Sequence, residues 1–241
     1  TTESLDIIST HVFTLLAILV LVSLFGFASN LLRASGVMTA TLFFYAVYLF
    51  GGAGWLAAPA SALITLVVVR YLLRERVNHH DAQHQVLATL YAVVVMMVAL
   101  VAHDVMPRVM SGPEWLLSGD ALRAPFVGLV VGQLTMMLVT QLRPFQSESR
   151  EPTSVPVTLG LFVLAMALVG PLGLRATGGI GPESLFTSAC IAGFATLFYW
   201  LMRKLQGWPT RTPWNMRLQP ACLALAILVV LPLHFLILGG G

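Results

Sequence analysis

His103 and Asp104 are adjacent in this 241-residue chain, and together they are its best-placed pair for chemistry. Imidazole ligates metals and moves protons near neutral pH, and a neighbouring carboxylate orients it. Two further histidines, His11 and His234, fall near the ends of apolar runs. If those runs lie side by side, His103, His234, His11 and Asp104 form an outer-side site for a haem, a quinone or a metal ion. The plain alternative is three unconnected histidines at a membrane interface. A second set, His79-His80-Asp81-Ala82-Gln83-His84, is compact. His80 and His84 are spaced i,i+4, which aligns them on one helical face. They sit among arginines, however, so a solvated helix start capped by Asp81 is favoured over a metal site. Cys190 and Cys222 lie inside apolar runs and read as small packing residues rather than a disulfide or metal pair.

Composition sets what must position these residues. Hydrophobic residues make up 58% of the chain and charged residues 10%, with a mean hydropathy of +0.87. A soluble domain carries about 25% charged residues, so this chain cannot cover a globule with a charged surface. The expected class is an integral membrane protein. A net charge of +3 is too small and too dispersed for a nucleic-acid surface. The first apolar run has neither a basic segment before it nor a small-residue cleavage site after it, so it is expected to be a true span.

A helix needs about 20 apolar residues to cross a bilayer core. Charge-free runs of that order occur near 12–32, 34–51, 53–69, 86–103, 124–142, 153–174, 184–202 and 218–238. The expected fold is therefore an all-α, polytopic transmembrane bundle of about eight spans in a single membrane domain. Gly51, Gly52 and Gly54 separate the second and third runs and suit a tight reversal. Short cytoplasmic segments collect arginine and lysine. With the N-terminus outside, ten cations fall inside: Arg33, Arg70, Arg74, Arg76, Arg143, Arg150, Arg203, Lys204, Arg211 and Arg217. Only Arg108, Arg123 and Arg175 fall outside. This alternation places both termini on the non-cytoplasmic side of a bacterial inner membrane. The five tryptophans, Trp55 and Trp200 among them, lie near span ends and are expected at the interface. Pro59, Pro171 and Pro232 are expected to introduce local kinks. Glycine-rich turns before the third and seventh spans would fit a four-plus-four repeat, as would chance in so small an alphabet.

No acidic residue or lysine lies in the middle of a span, which argues against a self-sufficient proton pump or channel. Gly128 and Gly132 form a GxxxG pattern that lets helices approach closely. Gln133 follows it and should seek a hydrogen bond across helices, within the bundle or at a subunit interface. No G-x-S-x-G, Walker A, H-E-x-x-H or C-x-x-C sequence occurs.

Two family resemblances add to this reading. Ser23-Leu24-Phe25, Leu32-Arg33-Ala34-Ser35-Gly36 and Ser61-Ala62-Leu63-Ile64-Thr65-Leu66-Val67 resemble the small multi-pass subunit of membrane-bound hydrogenase and complex-I-like assemblies. That resemblance implies a non-catalytic piece of a membrane arm. The chain departs from it in lacking intramembrane lysine and glutamate and in having an extra last span. Ser35-Gly36-Val37, Phe50-Gly51-Gly52-Ala53-Gly54-Trp55 and Gln85-Val86-Leu87-Ala88 resemble the phytyl-phosphate kinase and dolichol kinase group. Phosphoryl transfer needs acidic metal ligands. The corresponding Val131-Gly132-Gln133-Leu134-Thr135 has none, so no catalytic residue carries over.

The residues thus lean against an enzyme and favour a subunit or scaffold of an inner-membrane complex. Its partners would be lipids and other membrane subunits or further copies of the chain, with no nucleic acid. Alternatives are a transporter of a neutral or lipid-like solute and a divergent prenol-lipid kinase. If His103 and His234 share a ligand, both imidazoles should lie within about 5 Å of it, as coordination or hydrogen bonding demands. A structure in native lipid, with non-protein density sought between them, tests this; separation across the bundle ends the idea.

Overall fold

Long apolar segments with no water to satisfy their backbone close every N–H and C=O within a helix. The computed structural model describes residues 2–28, 34–72, 119–141, 154–178, 180–206, 218–219 and 221–230, and all the elements among them are helical. They are α1 (Thr2–Ala28), α2 (Ala34–Gly51), a 3-10 turn (Ala53–Leu56) and α3 (Ala57–Leu72). Then come α4 (Gly119–Gln141), α5 (Val155–Ala176), α6 (Pro182–Gln206) and α7, described over 218–219 and 221–230. The run 86–103 and the residues after Val230 lie outside the described residues.

Two helices are long and apolar enough to cross a membrane, α5 over Val155–Ala176 and α6 over Pro182–Leu205. Only 39% of the most apolar stretch of each is buried. A core helix of a soluble protein would hide such a surface, whereas these helices turn Leu159, Val163, Leu168 and Leu197 outwards.

At the centre lies α4. Every described side chain from Ala124 to Val139 is buried, apart from half-buried Met137. α6 supplies its broadest contact, followed by α5. Small residues permit the first: a Cβ on Gly128 would come within 2.7 Å of the Ser188 carbonyl oxygen. One on Gly132 would lie 3.4 Å from Ala192. On α5, Gly173 sits between Ala58 of α3 and Val127 of α4.

These meetings fix helix directions. Ala124 and Gly128 face Ser188, and Gly132 faces Ala192 and Ala195, so α4 and α6 run parallel. α5 runs against α3, because Gly173 meets Ala58 while Ala176 meets Gly54. Gly173 also meets Val127 near the start of α4, so α3, α4 and α6 share one direction. α7 opposes α4, with Gln219 beside Gln133 and Leu223 beside Gly132.

The reversal between α2 and α3 occurs at Gly52, whose φ of 77° a side chain would strain. Trp55 follows it. Instead of an interfacial anchor, Trp55 is a core residue, packed 4.9 Å from Phe126 between ring centroids. The 3-10 turn points its indole inwards, which hydropathy cannot register. Pro59 is the third residue of α3, where its missing N–H leaves no helical bond unmade. Pro171 does lie inside α5. Threonines at 14, 41, 135, 158 and 196 each return their hydroxyl to the carbonyl four residues earlier, so they add no unmet donor to an apolar bundle.

The α1–α2 hairpin has its own small core of Ile18, Val22 and Val37. α2 also enters the main core directly, through buried Val47 and half-buried Phe43, and Leu56 packs against both clusters. The α4–α6 contact yields a direct test. Gly128→Ala should destabilise the protein by about 1–3 kcal/mol through overpacking. Gly160→Ala, where nothing lies within 4 Å, should be neutral or stabilising by up to about 1 kcal/mol. Thermal unfolding of both variants in the same lipid nanodiscs checks the contrast.

Candidate functional site: a buried polar cluster

Polar side chains gather where α4 and α6 approach their C-terminal ends beside the first described residues of α7. Gln133, eight residues before the end of α4, donates through Nε2 to Oε1 of Gln219 at 3.2 Å. The Tyr199 side chain of α6 lies against those of Gln219 and of Arg203, the latter one helical turn further along α6. The Arg203 guanidinium carbon stands 5.9 Å from the Tyr199 ring centroid. The result is a chain of contacts, Gln133–Gln219–Tyr199–Arg203, linking three helices.

Burial makes this cluster unusual. Gln133 is 9% exposed, Gln219 5%, Arg203 3% and Tyr199 2%. Arginine is almost never fully buried unless paired. The Arg203 Nε and the Gln133 Oε1 nevertheless have no hydrogen-bond partner. The one carboxylate whose side chain is described, Glu183, is exposed at the far end of α6, about 30 Å away at 1.5 Å per residue. Lys204 behaves in the opposite way: it is exposed, with its ammonium 5.1 Å from the Trp200 ring. Two consecutive cations thus leave α6 on different sides, one inwards and one outwards.

This corrects the sequence expectation for Arg203. It was expected among the cations of an inner connecting segment, because an apolar run was taken to stop at its first charge. The helix instead continues through Gln206, and 3.6-residue periodicity places residue 203 on the same inward face as Tyr199. Tyr199, Arg203 and Gln219 were all missed. The available signal was the i,i+4 spacing of Tyr199 and Arg203; the pairing of Gln133 with Gln219, 86 residues apart, left no local trace.

The outer-side histidines are placed only in part. His11 is half-buried on α1, its ring edge-on to Tyr48 of α2 at 6.5 Å, and its Nδ1 is buried without a hydrogen bond. His103, Asp104 and His234 lie outside the described residues, as do His80 and His84. Among the described residues no three of histidine, cysteine, aspartate and glutamate come close enough to hold a metal ion. Arg123, at the start of α4, tucks beneath the α5–α6 turn. Its Nη1 would meet a Cβ on Gly178 at 3.2 Å.

The buried cluster contains a permanent cation, a phenol and two amides. Such groups can recognise a partner by hydrogen bonds and charge. No protein-family model, curated protein or solved structure matches this chain.

The amide pair can be tested by a double-mutant cycle. Gln133→Leu and Gln219→Leu should each cost about 1–3 kcal/mol, because each leaves a buried amide group without its partner. The double variant should cost less than the sum, and Gln219→Leu should be the more severe single change because Tyr199 loses a partner too. Denaturant or thermal unfolding of the four proteins measures the coupling.

Proposed function

We propose that the chain is a multi-pass subunit or scaffold of a bacterial inner-membrane complex and carries out no reaction of its own. It crosses the bilayer about eight times, with both termini on the non-cytoplasmic side. The observation that carries the topology is the direction of the helices. α3, α4 and α6 run one way while α5 and α7 run the other. α3 therefore ends, and α4 begins, at opposite ends of the bundle, which is what one further span between them would require. The apolar run 86–103 supports reading that return as a span.

Support for a scaffold comes from the outward surface. α1 and α2 expose Phe13 at 72%, Met38 at 68% and Leu42 at 66% among the described residues. Apolar surface on this scale is suited to lipid tails or to a neighbouring membrane subunit. This fits the non-catalytic membrane-arm role that the resemblance to hydrogenase and complex-I-like assemblies implies. The four-plus-four repeat gains no support from packing: α4 lies along α6, whereas α1 makes its extended contact with α2 and not with α3. The prenol-lipid kinase alternative would need convergent carboxylates, and the described residues gather none.

A second reading, transport or binding of a lipid-like solute, is favoured by one observation, the buried Arg203 and its neutral companions. Mild solubilisation and native mass spectrometry separate the two readings. The subunit reading expects the chain to leave the membrane with partner chains. Recovery as a stable lone monomer around a solvent-filled central cavity would favour the transporter. Single-cysteine labelling tests the topology: positions 75 and 148 should react only from the cytoplasmic side, and position 181 only from the other.

A further inference from the structure

Arg203 poses a charge-balance problem that no described residue solves. Its guanidinium is 3% exposed, its Nε is unpartnered, and the groups it does meet, the Tyr199 ring and hydroxyl, are neutral. A charge removed from water without an opposite charge is strongly disfavoured. The missing component is an anion.

The surroundings describe that anion. A guanidinium offers a planar fork of donors matched to an oxyanion. The Gln133 Oε1 asks for the opposite partner, a hydrogen-bond donor. The combination suits an oxyanion that carries an O–H nearby: a hydrogen phosphate, or a phosphate esterified to a polyol. Depth is consistent with this. Arg203 lies in the last turn of α6, next to Trp200 and outward-facing Lys204, residues that favour the headgroup level.

We propose that Arg203, Tyr199, Gln133 and Gln219 form a phosphate-binding site at the inner end of the bundle. The phosphate comes either from an anionic lipid headgroup or from solution. The site goes beyond the subunit reading and does not depend on it, since a scaffold and a transporter could each hold such a ligand.

The test uses the full chain in micelles of a neutral sugar detergent, which carry no phosphate, with thermal unfolding and native mass spectrometry as readouts. Phosphatidylglycerol and inorganic phosphate are added in separate arms. A raised Tm with retained phosphatidylglycerol assigns a lipid source; a raised Tm with inorganic phosphate assigns a soluble one. Either supports the site, provided the response is lost in Arg203→Met. Arg203→Lys, which keeps the charge but not the fork, should bind at least about tenfold more weakly. Gln133→Leu, which keeps the charge untouched, should bind about fivefold more weakly through one lost hydrogen bond. Without ligand, Arg203→Met should melt no lower than the parent, because it removes an uncompensated charge. If it fails to fold or melts lower there, Arg203 has an internal counter-ion and the proposal is overturned. The absence of any response of the parent protein to either phosphate source overturns it as well.

Discussion

The enclosure of α4 is the constraint from which the rest of the bundle follows. A helix that meets protein on every side between residues 124 and 139 cannot use the usual division into an apolar and a polar face. Its neighbours must be close, and glycine at 128 and 132 lets α6 come near enough for backbone to meet backbone. Its polar groups must also be answered from within. The carbonyl of Ala124 accepts from Ser188, and Gln133 finds Gln219. Neither partner is optional once water is excluded, because an unmet amide in such surroundings costs free energy comparable to a lost hydrogen bond.

The same enclosure explains why Gln219 of α7 matters. Without Gln219, the amide at the middle of the central helix would face a purely apolar wall. With it, the last described helix is tied to the centre, and the tie extends through Tyr199 to Arg203. Polar specificity of this kind complements apolar packing, which is tolerant of small slips along a helix axis. α4 and α6 are placed by small residues along their length and by an amide–phenol–guanidinium sequence near their ends.

Much of the helix pattern was legible in sequence. The run 34–51 matches α2 in both limits, and the glycines after it mark a real reversal. The expectation that Gln133 would seek an amide across helices has its counterpart in Gln219. What was not legible shares one physical cause: hydropathy assigns a residue to a depth but not to a direction. Arg203 and Lys204 have nearly equal hydropathy and opposite fates, decided by a rotation of about 100° per residue around α6. Trp55 was expected at an interface because an indole is amphipathic. The geometry of one 3-10 turn places it against Phe126 instead. α4 begins about one turn before its apolar run and α6 continues about one turn beyond its own, since a helix neither starts nor stops where a charge appears.

The hairpin of α1 and α2 has a consequence of a different kind. Its two helices are fastened unequally: α2 places Val47 in the main core and Phe43 against it, whereas the buried side chains of α1, Ile18 and Val22, sit in a separate small core with Val37. The outermost helix is therefore held at second hand, through α2, and a substitution on α1 reaches the register of α4 against α6 only through that intermediary.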